Sequence, residues 1–280
     1  LGEVTDLQKD DSVAIRIDLP SMDELDVEPY WRMMVLDRYF DGRFTLSDSL
    51  RSTAFRQQLN VRELEMNRLV ATAGQGDLWT FYMEGGISRY LPVPGDFGVL
   101  RFQSKQAMEV LREPRVYAID SVSQSVFSYQ IEGLVFNATY PAGPRETRIL
   151  AVAKQGDEFS ESRYPLTTLE LDVSPEDRAR LAEVNRSIHG AEQSSVPDFS
   201  QKTKQWLWDN YEYSLQPNGT SGDYEDPVVN WLSGGNRGHC ELFASALVLL
   251  AREAGYPARL VVGFAGGSWN SVEDYFVLRN

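Results

Sequence analysis

One short stretch of the sequence carries residue types suited to nucleophilic chemistry. It runs from 236 to 244 as Asn-Arg-Gly-His-Cys-Glu-Leu-Phe-Ala, and Cys240 within it is the only cysteine of the chain. Downstream, Phe243, Leu247 and Leu250 recur at three- and four-residue steps, the spacing of one buried helical face. The pattern predicts a helix that begins near Cys240 and ends at Gly255, where a glycine followed by a proline is typical of a helix stop.

A thiol at the start of a helix is placed for covalent catalysis. The N–H groups of the first turn and the positive end of the helix dipole favour a thiolate over a thiol. The same N–H groups can donate to an oxyanion that forms on an attacked carbonyl group. Gly238 would leave room for a substrate beside Cys240. A lone cysteine is also a common core residue, so position alone leaves the catalytic and the structural interpretation open.

The stretch and its continuation form a longer motif. Residues 238–246 read Gly-His-Cys-Glu-Leu-Phe-Ala-Ser-Ala, and residues 255–264 read Gly-Tyr-Pro-Ala-Arg-Leu-Val-Val-Gly-Phe, a helix end followed by a predicted buried strand. This combination closely resembles the core motif of the transglutaminase-like superfamily. The resemblance implies that Cys240 is the nucleophile of a Cys-His-Asp triad that acts on amide carbonyls, by hydrolysis, deamidation or acyl transfer through a thioester. We expect Trp231, Gly238 and His239 beside the substrate, with packing of the helix entry as the alternative for Trp231.

The sequence departs from the superfamily pattern in its general base. In the superfamily, the histidine and the aspartate lie on strands after the nucleophile helix, and an Ala-His-Ala-Trp-like segment usually introduces the histidine. The only histidines of this chain are His189 and His239. His239 adjoins Cys240, and helical neighbours point about 100° apart, so its side chain is poorly placed to accept the thiol proton. We therefore expect a fragment that holds the nucleophile but lacks its base and has little or no activity by itself.

Composition excludes several classes of partner and cofactor. The 280 residues favour two domains, and the 42% of hydrophobic residues can supply a substantial core. The net charge of −14 argues against nucleic acid and against anionic membrane surfaces. No apolar run approaches the roughly 20 residues that span a bilayer. The sequence contains no recognisable calcium loop and no good zinc ligand set, so we expect no metal and no cofactor.

The first part of the chain is predicted to be rich in strands. Val13, Ile15 and Ile17 alternate with polar residues, and short β-prone runs separated by turns continue to about residue 136. Such a series is typical of a sandwich or a distorted barrel. Residues 29–42, Pro-Tyr-Trp-Arg-Met-Met-Val-Leu-Asp-Arg-Tyr-Phe-Asp-Gly, resemble the extracytoplasmic segment of bacterial membrane-anchored transglutaminase-like proteins. That resemblance implies a location on the periplasmic side of the inner membrane. We expect Tyr30, Trp31 and Tyr39 to pack in the core or between sheets.

Helix signals begin in the second part of the chain. Ser174-Pro175-Glu176-Asp177 combines an N-cap residue, a proline at the first helical position and acids in the first turn, so we predict a helix from there to Gly190. A second helix is predicted from Pro197 to Tyr211. The predicted fold is therefore α+β, with a mainly antiparallel β domain over 1–171 and the first part of a papain-like transglutaminase core over 172–280.

Two functions remain open at this point. The first is a thiol enzyme that acts on a protein or peptide substrate, with its membrane anchor outside this chain. The second is a non-catalytic binding or structural module of the cell envelope built on the same scaffold, because a fold does not fix a function. An intracellular sugar-peptide amidase of the same superfamily is disfavoured by the aromatic pattern at 29–42.

Overall fold

A computed structural model of the chain describes residues 12–22, 25, 29–51, 56–66, 77–111, 115–136, 168–190, 194–218 and 224–279. These residues form sixteen strands and five helices. The strands are β1 Val13–Asp18, β2 Tyr30–Leu36, β3 Arg38–Phe40, β4 Arg43–Thr45, β5 Arg56–Glu65, β6 Leu78–Met83, β7 Gly95–Asp96, β8 Val99–Leu111, β9 Val116–Ile119, β10 Phe127–Glu132, β11 Val135–Phe136, β12 Glu212–Tyr213, β13 Arg237–Gly238, β14 Leu260–Ala265, β15 Ser268–Asn270 and β16 Tyr275–Arg279. The helices are α1 Asp48–Arg51, α2 Pro175–His189, α3 Val196–Asn210, α4 Pro227–Gly234 and α5 Cys240–Glu253.

The predicted α+β class is confirmed by a large antiparallel sheet and a separate group of helices. The sheet has the strand order β15-β16-β1-β6-β10-β8-β5, with β9 paired to β8. Its two ends, β15 and β5, are not paired with each other, so the described strands do not close into a barrel. None of the five described helices combines the length and the hydropathy that a bilayer span requires.

The chain is divided between two compact units. The sheet unit comprises Leu1–Val35, Leu50–Tyr140 and Val261–Asn280, and the helical unit comprises Leu36–Ser49 and Pro141–Leu260. Each unit takes segments from both sides of Leu171. The predicted domains 1–171 and 172–280 therefore reflect the order of strands and helices along the chain. The boundary between them stays a prediction.

The core of the sheet unit is aromatic. Strand alternation places Ile17, Phe81 and Tyr129 on the same buried face, and the rings of Phe81 and Tyr129 stack with centroids 4.8 Å apart. Trp31 is fully buried, as predicted, and its Nε1 donates to the carbonyl of Gly266 at 2.8 Å. The prediction of core packing was wrong for Tyr30, which is 42% exposed because successive residues of a strand face opposite sides.

The helical unit is built around α5. Helices α2, α3 and α4 all pack against it. Leu250 is fully buried as predicted, but Leu242, Ala246 and Leu249 are also buried, whereas Phe243 is only partly buried. The buried surface of α5 is therefore wider than the single predicted face, because three helices pack against it.

The helices of this unit begin at side-chain caps. Ser174 accepts a hydrogen bond from the N–H of Asp177, which confirms the predicted start of α2, and Ser195 caps α3 in the same way. Asp226 caps α4 by accepting from the N–H groups of Val228 and Val229, at 2.9 and 3.1 Å. Its other carboxylate oxygen accepts from the hydroxyl of Tyr39 at 2.6 Å. Burial raises the pKa of Asp226, and the hydrogen bonds from Tyr39 and the two amides partly oppose that rise.

The predicted turn at Asp41-Gly42 is confirmed. It joins β3 to β4, which pair in register from Arg38↔Thr45 to Phe40↔Arg43. Both turn residues have positive φ, 50° and 70°, the signature of a type I′ hairpin turn.

Candidate active site

The thiol of Cys240 stands at the first residue of α5. The helix begins after His239, whose backbone is extended with φ −96° and ψ 175°. The carbonyl of His239 accepts from the N–H groups of Leu242 and Phe243, at 3.0 and 3.3 Å. Cys240 itself is exposed. The thiol is therefore open to solvent and lies at the positive end of the helix dipole, as the sequence predicts for a nucleophile.

The loop before Cys240 is held by hydrogen bonds along its whole length. The carbonyl of Asn236 accepts from Glu212 N at 2.7 Å, and that of Gly238 accepts from Ser214 N at 2.8 Å. The intervening carbonyl of Arg237 accepts from Nε1 of Trp231 at 2.9 Å. Together with the carbonyl of His239, every carbonyl from 236 to 239 thus has a donor, which fixes the path of the chain into the helix.

Two further contacts hold the solvent side of this loop. The side-chain oxygen of Asn218 accepts from the backbone N–H groups of Asn236 and Arg237, at 3.3 and 3.1 Å. Strand β13 pairs in parallel with β12, and Arg237 Nε lies 3.0 Å from a carboxylate oxygen of Glu212. This ion pair is exposed, so we attribute the order of the loop mainly to its backbone hydrogen bonds.

Trp231 supports the loop from the inside. Its indole is buried, stacks at a tilt on Tyr211 with centroids 4.4 Å apart, and also contacts Phe243. A Cβ on Gly238 would lie 2.8 Å from Cζ2 of this indole, so close packing by itself requires a glycine at 238. The indole of Trp231 therefore packs at the helix entry, which was the predicted alternative to a role as a wall of the substrate cleft. Contact of Trp231 or Gly238 with a substrate stays a prediction.

His239 points into the protein. It is 2% exposed, and its Nδ1 has no hydrogen-bond partner among the described residues. Burial lowers the pKa of His239, and the nearby carboxylate of Glu241 partly opposes this effect. The predicted contact between His239 and a substrate stays a prediction.

His189 lies at the other end of α5. Its ring stacks on Phe199 with centroids 4.3 Å apart, and its Nε2 is 2.9 Å from the hydroxyl of Thr203. One turn earlier on α2, Asn185 donates to the carbonyl of Leu250 at 2.8 Å. Leu250 is ten residues after Cys240, which corresponds to about 15 Å along a helix. His189 is therefore not positioned to act as the base for Cys240.

A group of partly exposed aromatic side chains lies one turn from the thiol. Phe243 is at i+3 from Cys240 and so shares its side of α5. The Phe243 ring has its centroid 5.5 Å from that of Trp208 and 6.4 Å from that of Tyr213, which are 54% and 46% exposed. We call Trp208, Tyr213 and Phe243 the aromatic shelf.

The sequence analysis missed the aromatic shelf, although a signal was present. Trp206 and Trp208 are two residues apart on a predicted helix, so their side chains diverge by about 200°. When Trp206 packs against the helical core, Trp208 must face away from it.

Potential metal ligands are not clustered in the ranges that the structure describes. No three side chains of His, Cys, Asp or Glu in those ranges are grouped so that they could hold an ion.

Comparisons with known proteins identify the family of this region. Residues 182–278 match the family model of the transglutaminase-like superfamily. A protein-glutamine gamma-glutamyltransferase of Pseudomonas aeruginosa is 25% identical over 284 residues; the match covers 99% of this chain and 36% of that protein, so the chain spans about a third of its curated relative.

Solved structures give the same result for the fold. Two crystal structures of the periplasmic domain of TgpA from Pseudomonas aeruginosa, one bound to ethylmercury, each match with a TM-score of 0.63 and 18% identity. They cover 99% of this chain, which itself covers 85% and 83% of theirs. The resemblance inferred from the motif is confirmed, and this chain carries a domain of the transglutaminase-like superfamily.

Proposed function

We propose that the chain is the nucleophile-bearing part of a thiol enzyme that acts on amide carbonyls of a protein or peptide. The observation that carries this proposal is the exposed thiol of Cys240 in the first turn of α5, at the end of a loop whose carbonyls are all hydrogen-bonded. A fixed, accessible nucleophile next to first-turn N–H groups is the arrangement that acyl transfer requires.

In the proposed reaction, the sulfur of Cys240 attacks the carbonyl carbon of an amide, such as the side chain of glutamine. A C–S bond forms and the C–N bond breaks, so the nitrogen leaves as ammonia or an amine after gaining a proton. Water or a primary amine then attacks the thioester, which releases an acid or a new amide and returns the thiol. The thiol proton needs an acceptor, and we propose that this base is a residue outside the chain, a proposal supported by the distant position of His189 and the burial of His239.

The aromatic shelf supports a role in binding the same substrate. Exposed tryptophan and tyrosine are costly to leave in water and are enriched where proteins bind other chains. Trp208 and Tyr213 flank Phe243 on the side of α5 that carries Cys240. An apolar side chain next to the acyl-donor amide would pack there.

The proposed location is the periplasmic side of a bacterial inner membrane, with an anchor outside this chain. The TgpA structures, which match 99% of the chain, are of a periplasmic domain. The curated relative is longer than the matched region, which leaves room in that protein for further segments.

Hydroxamate formation tests the proposed function. Full-length protein incubated with a capped glutaminyl peptide and hydroxylamine should form a peptide hydroxamate, and Cys240→Ala should form none. Ser245→Ala in the same helix is the matched control and should keep activity. Hydroxamate formation by Cys240→Ala would refute the role of the thiol, and turnover by residues 1–280 alone would refute an external base.

A second function, a non-catalytic envelope module, is favoured by one observation: His189 is held against Phe199 and Thr203 at the far end of α5, and the adjacent His239 is buried. The same assay separates the two proposals. A full-length protein that binds the peptide but forms no hydroxamate under any condition would support the binding module.

A further inference from the structure

The solvent-facing side of the eight-stranded sheet contains a cleft that the thiol chemistry does not use. Its volume is about 550 Å³, within the usual range for small-ligand sites. All of it lies in the sheet unit. Its polar lining includes Arg62, Thr80, Tyr82, Gln103, Ser128 and Gln130. We call this the sheet cleft.

Strand pairing explains why these side chains meet. Thr80 on β6 lies opposite Gln130 on β10, which lies opposite Arg101 on β8, which lies opposite Glu63 on β5. The residues between them in sequence, such as Phe81, face the buried core. Four neighbouring strands therefore present a continuous polar floor about 14 Å wide.

The charges of the floor compensate one another although the chain carries a net charge of −14. Arg101 lies 3.2 Å from a carboxylate oxygen of Glu63 and also pairs with Glu132. Arg62 is exposed and forms no ion pair with another described residue. Apart from Arg62 and the ion-paired Arg101 and Glu63, the groups that the cleft offers a ligand are uncharged: hydroxyls of Thr80, Ser128 and Tyr82, and amides of Gln103 and Gln130.

Tyr82 gives the sheet cleft an aromatic wall. Its ring is half-buried and meets Tyr275 edge-on, with centroids 6.0 Å apart, which restrains its orientation. Burial raises the pKa of Tyr82, helped by Tyr275 and Asp18, so its hydroxyl remains a neutral donor. Gln130 donates to the hydroxyl of Thr80 at 3.3 Å, which leaves the amide oxygen of Gln130 as an acceptor.

We propose that the sheet cleft binds a neutral oligosaccharide. Sugar hydroxyls need donors and acceptors side by side, and the apolar face of a sugar ring packs on an aromatic ring, here Tyr82. A peptide recognised by strand addition needs an unpaired sheet edge. Strands β6, β8 and β10 under the cleft are each paired on both sides, and only β5, at the end of the sheet, has an edge without a described partner strand. Recognition over the middle of the cleft is therefore through side chains.

Calorimetric or NMR titration of residues 1–280 with a β-1,4-linked tetramer of N-acetylglucosamine tests this proposal. Saturable binding is expected, weakened about tenfold by Tyr82→Ala and by Gln130→Ala. Lys105→Ala, an exposed position farther along β8, is the control and should change the affinity less than twofold. Thermal melts establish that each variant is folded, and Tyr82→Leu, which removes the ring but keeps an apolar side chain, replaces Tyr82→Ala if the latter does not fold.

Three results would overturn the proposal. They are no saturable binding up to the solubility limit of the tetramer, equal affinities in wild type and both cleft variants, or tighter binding of an uncharged peptide of similar mass. Cys240→Ala should leave the sugar affinity unchanged, so failure here is separate from failure of the proposed thiol chemistry.

Discussion

Replacing Gly238 with alanine tests how the nucleophile is positioned. The new Cβ would lie 2.8 Å from Cζ2 and 3.0 Å from Nε1 of Trp231. The indole is buried and donates to the carbonyl of Arg237, so moving it would break a hydrogen bond worth about 1 kcal/mol. Overpacking of this kind costs about 1–3 kcal/mol. We expect the free energy of unfolding to fall by about 2 kcal/mol and Tm by roughly 4–8 °C.

Urea unfolding and the alkylation rate of Cys240 measure this effect. Because Cys240 is the only cysteine, iodoacetamide labelling reports on this one site. The matched control is Gly234→Ala at the end of α4, where an added Cβ has no neighbour within 4 Å. We expect Gly238→Ala to change both the stability and the labelling rate, and Gly234→Ala to change neither appreciably.

A double-mutant cycle with Trp231→Phe identifies the cause. The smaller ring leaves space for the alanine Cβ, so Gly238→Ala should cost less in the Trp231→Phe background, with a coupling of about 1 kcal/mol or more. Strictly additive effects would refute the argument that the indole is what excludes a side chain at 238.

Three further predictions concern other sites. Asp226→Ala should cost about 2–4 kcal/mol in urea unfolding, because it removes the α4 cap and leaves the Tyr39 hydroxyl unpaired. Asp226→Asn should cost less, because its amide oxygen can still accept from the two backbone N–H groups and its amide nitrogen can donate to the Tyr39 hydroxyl oxygen; equal losses would contradict the cap. The raised pKa of Asp226 means that the folded chain holds this proton more tightly than the unfolded chain, so its contribution to stability falls as pH rises through the acid range, and Asp226→Asn should flatten that part of the pH profile. His239 and His189 have lowered pKa values, so their contribution falls as pH drops below about 6.5, and the double variant with glutamine at both positions should lose less stability between pH 7 and 5. Trp208→Ala should change the unfolding free energy by less than about 1 kcal/mol because the side chain is half exposed, yet lower kcat/KM of the full-length protein on glutaminyl peptides about tenfold; an unchanged kcat/KM would remove the aromatic shelf from substrate binding.

Local signals in the sequence predicted the helices well where caps mark their starts. Ser174 followed by Pro175 predicted the first residue of α2, and the Gly238–Cys240 motif predicted the start of α5. Helix α4 was not predicted although Asp226-Pro227 carries the same signal, an N-cap acid followed by a proline at the first helical position. Its short length of eight residues shows too little periodicity to stand out.

Contacts of the site between residues distant in sequence could not be predicted. That Trp231 lies under Gly238, and that Asn218 holds the loop amides, depends on chain segments brought together by tertiary packing. The burial of His239 also follows from neighbours distant in sequence, since its local context only fixes it next to Cys240. The position of the thiol could be predicted because it depends only on where one helix begins. The accessibility of the thiol depends on tertiary packing and could not be predicted.

The position of β1 within the sheet has a consequence for how the protein is made. This strand is hydrogen-bonded to β6 on one side and to β16 on the other, with Ile17 opposite both Phe81 and Phe276. The second partner, Phe276, lies about 260 residues after Ile17 in the sequence. Strand β1 therefore keeps one unpaired edge until β16 has been synthesised, and such distant pairing slows folding and exposes the chain to aggregation. Co-translational folding of the sheet unit should accordingly pause until β16 is available, and a chaperone that shields strand edges should raise its yield.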